Sequence, residues 1–346
     1  MIEIDGSHGE GGGQILRMAV ALSALTGSDV KIRNIRAGRP NPGLRRQHMI
    51  AIESVRKICN GKVNGLHENS LEIEFFSGDM KGGTYSFDIG TAGSITLVFQ
   101  ACILPSLFAE NETIISLKGG TDVRWSPPWD YFNNVFLKLL RRMGISADGK
   151  LYRRGYYPKG GGMAEIAIKP CRDLHPINFG TEEELKIEGI VNIANLPLKI
   201  AERMRNAAEK EFREKEMETD ITISEGDSSS PGIGIVLWTA DKKILGSDSL
   251  GKKGRPAEQV GREAASTLLD KIESGADIDR WAVDQILPYA AISGKPFSFR
   301  CMELSGHAET EMWLLEKFLD VKFGKKVSNK LIELVTIPKE CKPEQT

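Results

Sequence analysis

Several segments of the chain follow one pattern: a short apolar run, a turn of glycine or polar residues, then apolar positions recurring with a period near 3.6. In MIEIDGSHGEGGGQILRMAVALSALTG, residues 1–27, the positions Ile15, Leu16, Ala19, Val20 and Leu22 share one face, which predicts a strand, a glycine turn and a helix. YSFDIGTAGSITLVFQACILPSLFA, residues 85–109, repeats the outline with Gly90, Gly93 and Ser94 at the turn. DIDRWAVDQILPYAAISG predicts a third helix and leads into the strand-like PFSFRCMEL. VKIRNIRAG, TIISLKGGT, GMAEIAIKP and KLIELVTI read as further strands. The repeated units are somewhat under about 100 residues long, which indicates duplicated subdomains and not a solenoid, whose periods run about 20 to 50 residues.

Residues 184–278 carry a pattern of their own. LKIEGIVNIANL reads as a strand, LKIAERMRNAAEKEFREK as a charged amphipathic helix, DITISEG and IGIVLWTA as two strands, and PAEQVGREAASTLLDKIESG as a closing helix. GDSSSPGIG is a Gly/Pro/Ser loop, and GSDSLGKKGRP reads as a basic loop, either solvated or touching phosphates through Lys252, Lys253 and Arg255.

With 346 residues and 40% hydrophobic content, the chain can build a sizeable core. Its 46 Lys and Arg nearly balance 47 Asp and Glu, so any nucleic-acid contact has to be a local patch. MIEIDGSHGE has neither a charged leader nor an apolar signal core, and no window reaches the roughly 18 apolar residues of a membrane span; a cytoplasmic protein without membrane contact is the expectation. Five cysteines, Cys59, Cys102, Cys171, Cys301 and Cys341, include no CxxC pair, and five histidines show no ligand spacing, which argues against a structural zinc site or a disulfide framework.

The glycine turn HGEGGGQILR, residues 8–17, lets a backbone approach a ligand closely, and the amides opening the following helix favour an anion. It matches neither the dinucleotide fingerprint, since Gln14 stands where a glycine belongs, nor a P-loop, since no Lys-Ser/Thr pair follows. A tight strand-to-helix turn is the plain alternative. IRAGRPNPGLRRQH, residues 35–48, gathers Arg36, Arg39, Arg45, Arg46, Gln47 and His48 in a Pro/Gly-rich segment, either a phosphate cradle or a solvated loop. WSPPWDY, residues 125–131, offers aromatics that stack on a base or pack in a core. RRGYYPKGGG, residues 153–162, suits single-stranded nucleic acid or an aromatic hairpin turn. His307 precedes a helix whose apolar face includes Met312, Leu315 and Phe318; it is a boundary residue or, as neutral imidazole, a nucleophile toward phosphorus.

Taken together, HGEGGGQILR, IRAGRPNPGLRRQH, GTAGSITLV, GGTDVRWSPPWDY, GYYPKGGG, WAVDQILP and SGHAET resemble, in order and over about residues 3 to 336, the RNA 3'-terminal phosphate cyclase family. The resemblance implies an α+β fold of three repeated βαβαββ subdomains, like those of enolpyruvyl transferases, with a small α+β domain inserted in the third. That gives a core of residues 1–183 and 279–346 around an insert of 184–278. It also implies ATP-dependent conversion of an RNA 3'-terminal phosphate to a 2',3'-cyclic phosphate through a histidine adenylate, with Mg²⁺ or Mn²⁺ as cofactor.

By the same resemblance His307 is the nucleophile, and Glu10 sits at the metal and triphosphate. Gln14, Gln100, Pro127, Trp281, Asp284 and Gln285 line the nucleotide, with Pro127 and Trp281 against the two faces of adenine. Arg17, Arg36, Arg39 and Gln47 surround phosphates and RNA. Trp281 stands where some members have tyrosine, so only stacking carries over, and Asp284 either orients His307 or holds metal. A family branch resembling ribosome-biogenesis factors lacks the nucleophile; His307, Glu10 and the arginines argue against it, and no enolpyruvyl transferase substrate pattern is found. A homodimer is left open, and no sequence feature demands one.

Overall fold

The computed structural model describes residues 1–180, 185–240, 243–328 and 330–338, and these form a mixed α+β structure. The first sheet contains β1 (Ile2–Asp5), β2 (Val30–Arg33), β3 (Lys62–Asn64) and β4 (Ile73–Phe76), in the order β1-β2-β4-β3. Helix α1 (Gly13–Thr26) joins the parallel pair β1 and β2, and α2 (Arg46–Ile58) leads into β3. A parallel pair needs such a crossover.

The second sheet repeats this order. It contains β5 (Gly83–Asp88), β6 (Thr113–Gly119), β7 (Ala147–Arg153) and β8 (Gly162–Ile168), ordered β5-β6-β8-β7, with β5 and β6 parallel. Helix α3 (Ile95–Ser106) is its first crossover; the second is a helical stretch of α4 (Trp129–Tyr131), a π turn (Phe132–Phe136) and α5 (Leu137–Arg142).

A third sheet has β9 (Ile187–Ala194), β10 (Thr219–Glu225), β11 (Gly232–Thr239) and β12 (Gly246–Leu250), ordered β10-β9-β11-β12. Helices α6 (Leu198–Arg213) and α7 (Ala257–Ser274) pack on each other and on this sheet around a separate apolar cluster that includes Val191, Met204, Phe212 and Leu268. The loop expectation for GSDSLGKKGRP is corrected for its first half: Gly246–Leu250 is a strand paired antiparallel with β11, and the basic residues Lys252, Lys253 and Arg255 follow it on a loop. The strand's small polar residues conceal it, because Ser247 is buried and donates to the Ala264 carbonyl at 2.7 Å.

The chain ends its described part with α8 (Arg280–Ile292), β13 (Phe297–Cys301), α9 (Gly306–Phe318), β14 (Val321–Ser328) and β15 (Leu331–Pro338). The order β13-β15-β14 supplies three of the four positions of the first two sheets. The leading strand of a complete third repeat is absent among the described residues: residues 170–180 run without strand pairing, anchored by buried Leu174, Ile177 and Phe179. Pro170 and Pro176 have no N–H to give a ladder. The expected boundary at 183/184 and Cys341 lie outside the described residues.

The repeats share one large apolar core. Helix α1 packs on α2, α3 and α9, while α8 packs on α3 and α9. The expected face of α1 is buried, and α3 is enclosed on nearly every side, as its apolar sequence requires. A buried ion network ties the second sheet to β9: Arg154 pairs with Asp122 at 3.2 Å and Asp130 at 2.9 Å, and Asn192 donates to Asp130 at 3.1 Å. No helix among the described residues is long and apolar enough to cross a membrane.

Candidate active site

The turn between β1 and α1 is shaped by what lies against it. Gly9 and Gly11 have φ of +57° and +55°, a region that side chains with a Cβ avoid. A Cβ on Gly9 would run into the Thr310 hydroxyl, and one on Gly306 would lie 2.5 Å from a Glu10 carboxylate oxygen. The His8 ring stacks on Trp313 with centroids 3.8 Å apart. The glycines therefore let the turn rest directly on the first turns of α9, whose N-cap Ser305 accepts from Ala308 N at 3.0 Å.

That contact brings Glu10 to His307, with Oε2 3.2 Å from Nε2. Arg39 donates to the Glu10 carbonyl at 3.3 Å, and its guanidinium is 3.9 Å from the Glu10 carboxylate. Gln14 Nε2 donates to the His307 carbonyl at 3.3 Å and to Glu311 Oε2 at 2.9 Å. Burial lowers the His307 pKa, and the positive charges of Arg17, Arg39 and Arg280 lower it further, against the opposing effect of Glu10. The imidazole is thus neutral at pH 7.

Behind His307 lies a buried polar cluster. Burial pushes the Asp284 carboxyl up to about 8 and raises Glu311 well above the usual carboxylate range. Asp284 Oδ1, Glu311 Oε1 and Gln14 Oε1 are buried without hydrogen-bond partners. Arg17, lowered by burial to about 10 and so still charged at neutral pH, feels both acids yet makes no hydrogen bond or ion pair among the described residues. Glu311 was not among the sequence candidates; the signal for it was an acid four residues after His307, on the buried face of α9.

The arginine loop closes another side. A Cβ on Gly13 would strike His48 and lie 3.1 Å from Arg17 Nη1, so α1 opens against the first turn of α2. His48 Nδ1 accepts from Arg45 N at 3.2 Å, and burial with Arg17, Arg36 and Arg45 nearby lowers its pKa to about 3. Arg36 spends two donors on its own loop, the carbonyls of Asn41 at 2.8 Å and Gly43 at 2.9 Å. Gln47 Oε1 accepts from Ser94 N, the N-cap of α3, at 2.7 Å. Four helix N-termini, those of α1, α2, α3 and α9, therefore adjoin the glycine turn and its neighbours, and their dipoles favour an anion there.

From Ser94 a hydrogen-bonded chain runs on to Pro127: Ser94 Oγ meets Thr96 Oγ1 at 2.8 Å, and Thr96 donates to the Pro127 carbonyl at 2.8 Å. Helix α8 begins at Asp279, which caps Trp281 N at 2.9 Å and accepts from Tyr131 Oη at 2.8 Å. Trp281 stays 45% exposed, with the Arg280 guanidinium over its ring at 4.8 Å. Gln100 donates to Gln285 Oε1 at 2.7 Å, and Gln285 donates to the Trp281 carbonyl at 2.6 Å.

The sequence candidates thus fall into three linked groups. Glu10, Gln14, Arg17, Arg39, Asp284 and His307 surround the turn; Arg36 and Gln47 lie on the arginine loop and α2; Gln100, Gln285, Trp281 and Pro127 flank α3 and α8. Lys252, Lys253 and Arg255 stand apart on the loop after β12, where Arg255 pairs with Glu263. WSPPWDY divides: Trp129 is core, whereas Trp125 is 95% exposed.

A family model described as RNA 3'-terminal phosphate cyclase matches residues 8–324. Among similar proteins of that name, the one from Pyrococcus furiosus is 47% identical, over 94% of this chain and 94% of its own. Those from Methanosarcina mazei and Nitrosospira multiformis are each 44% identical, covering 96% and 93% of this chain and 99% and 93% of their own. A match over nearly the whole chain, with identity above 40% in each of these relatives, shows that the chain belongs to the RNA 3'-terminal phosphate cyclase family.

Proposed function

We propose that the protein uses ATP to convert an RNA 3'-terminal phosphate into a 2',3'-cyclic phosphodiester by way of AMP carried on His307. The observation that carries this reading is a neutral histidine beside a glycine turn where arginines and helix N-termini gather positive potential. A neutral imidazole has the lone pair that attack on phosphorus needs.

In the first step His307 attacks the α-phosphorus of ATP, the bond to the β-phosphate oxygen breaks, and pyrophosphate leaves. Attack through Nε2, the ring nitrogen 3.2 Å from Glu10, requires the neutral tautomer with its proton on Nδ1. The RNA 3'-phosphate then displaces the histidine, giving RNA-(3')pp(5')A. Last, the neighbouring 2'-OH attacks the activated phosphorus and AMP departs. Tethering the hydroxyl beside its target is worth about 7–11 kcal/mol of barrier.

Arg17, Arg39 and Arg36 are assigned to phosphates with Gln47, and Gln14, Gln100, Asp284 and Gln285 to the nucleotide, with Pro127 and Trp281 flanking adenine. A 3'-hydroxyl end would leave arginine donors unpaired, which selects for the phosphate. Among the described residues no three His, Cys, Asp or Glu side chains form a metal cage. Glu10 alone suits Mg²⁺ or Mn²⁺, which bind through one carboxylate completed by substrate phosphates and water. Bound there, the ion would supply charge neutralisation for the leaving pyrophosphate. We further assign residues 184–278 as a unit inserted into the core of 1–183 and 279–346, on the support of its separate apolar cluster.

The test is incubation with α-labelled ATP and Mg²⁺ or Mn²⁺, then denaturing separation, for wild type and His307→Ala. Acid-labile, alkali-stable label on wild type alone, discharged by a 3'-phosphorylated RNA, is the expected result. Label on neither protein, despite ATP binding, would make His307 structural and overturn the reading.

A further inference from the structure

Trp125 is the most exposed large apolar side chain among the described residues. Its φ is +62°, the left-handed region in which a bulky residue is strained. The loop is held in place all the same: Trp129 N donates to the Thr121 carbonyl at 2.9 Å, Ser126 Oγ to the Val123 carbonyl at 3.0 Å, and Thr96 fixes Pro127. The fold thus maintains a strained backbone that leaves an indole in water, and strain of this kind gathers at functional sites.

A second exposed aromatic lies on the adjoining turn. Tyr157, 78% exposed, sits between β7 and β8, and its turn is bonded to the Trp125 loop through Thr121 N to the Gly155 carbonyl at 2.9 Å and a bridge between Asp122 and Tyr156. Arg124 precedes Trp125, and Arg153 and Lys159 flank Tyr157 on its segment; all three are exposed and have no ion-pair partner among the described residues. In a chain whose net charge is −1, this is a local cationic patch.

Both loops border the candidate active site. Pro127, two residues beyond Trp125, is the end of the hydrogen-bonded chain from Gln47, and a Cβ on Gly160 would lie 2.8 Å from the backbone of Ala92, beside the N-terminus of α3. We propose that Trp125 and Tyr157 form a stacking surface for unpaired bases near the 3' end of a single-stranded RNA, with Arg124, Arg153 and Lys159 meeting its backbone phosphates. This rests on the reading of the His307 site as one that acts on RNA 3'-phosphate ends. Exposed aromatics on segments that also carry cations suit a polyanion with flat bases. Because every base has a stackable face, the surface is indifferent to sequence.

The experiment compares equilibrium binding of a 3'-phosphorylated octaribonucleotide with that of a 3'-phosphorylated dinucleotide. In wild type the octamer binds more tightly. Trp125→Ala and Tyr157→Ala each cut that advantage about tenfold, consistent with loss of one stacked base, and Trp125→Phe retains most of it. Trp125→Gly, which relieves the left-handed strain, loses the advantage without lowering the melting temperature. Arg124→Gln reduces the slope of log affinity against log salt by about 0.7. An unchanged octamer advantage in folded Trp125→Ala overturns the proposal, as does a loss of self-association in that variant with RNA affinity intact, which would assign the surface to a protein partner. A wild type that binds no 3'-phosphorylated RNA defeats the functional reading itself, and this proposal with it.

Discussion

Nε2 of His307 lies 3.2 Å from a carboxylate oxygen of Glu10, yet the imidazole is pulled below the ordinary histidine pKa. Desolvation, together with Arg17, Arg39 and Arg280, outweighs the one neighbouring acid that raises it. A histidine with a depressed pKa gains its proton only on acidification beyond about 6.5, so adenylylation should be level through neutral pH and fall on the acid side. Glu10→Gln removes the opposing charge and moves the His307 midpoint to still lower pH. Nitrogen-proton NMR titration of the ring reads this directly. A wild-type midpoint at or above 6.5 would show that burial and the arginines do not outweigh Glu10, and an upward move in the variant would show that Glu10 does not raise the His307 pKa.

Arg17 offers a separate test of function against stability. Its guanidinium is charged at neutral pH but makes no hydrogen bond or ion pair among the described residues, beside acids that burial keeps protonated. An unpaired cation costs folding free energy and is waiting for an anion. Arg17→Met should weaken ATP binding at least about tenfold, or roughly 1.4 kcal/mol, while leaving the melting temperature equal or higher. Calorimetric titration beside a thermal melt distinguishes the cases. A large drop in melting temperature would mean that Arg17 is structural.

Much of this fold was legible because periodicity survives in its apolar helices: the face of α1 and the enclosed α3 follow from residue spacing. β12 was not, since GSDSL carries no large apolar residue before Leu250 and is a strand only through its partner β11. The site was legible in its blocks but not in its pairings. Nothing in the spacing says that Gln100 is bonded to Gln285, 185 positions away, or that the Gln14 amide reaches Glu311. WSPPWDY shows the same limit: two tryptophans four residues apart share a composition but not a fate, because the positive φ at Trp125 turns its side chain outward while Trp129 opens a buried helix.

Asp284 ties stability to pH. Its folded pKa, about 8, lies above the ordinary carboxylate value because burial disfavours the charge, with Asp279 and Glu10 adding repulsion. A raised carboxyl pKa means that the folded state holds the proton more tightly, so this contribution is complete below about 4 and disappears as pH rises through 8. Asp284→Asn cannot ionise and should gain stability relative to wild type as pH increases from 5 to 8. Urea denaturation at the two pH values measures the difference. Parallel loss in both proteins would mean that Asp284 is ionised throughout and paired by a group that its surroundings do not reveal.

Asp279 carries no expected chemistry, but it holds three pieces of the site in register. One buried carboxylate caps α8 through Trp281 N at 2.9 Å, accepts from Tyr131 Oη at 2.8 Å, and accepts from Gly246 N of β12 at 2.9 Å. Tyr131 closes the segment that contains Pro127, so the two residues assigned to the faces of adenine are positioned through this side chain. Removing the cap costs about 1 kcal/mol and stranding a buried hydroxyl about 1–3 kcal/mol, so Asp279→Ala should lose about 2–4 kcal/mol in urea denaturation. Because Asp279 touches neither His307 nor its phosphate neighbours, KM for ATP should rise more than the rate of adenylylation at saturating ATP falls. Equal losses in both would place Asp279 in the reaction centre, and an unchanged KM would mean that Trp281 and Pro127 do not bind the base.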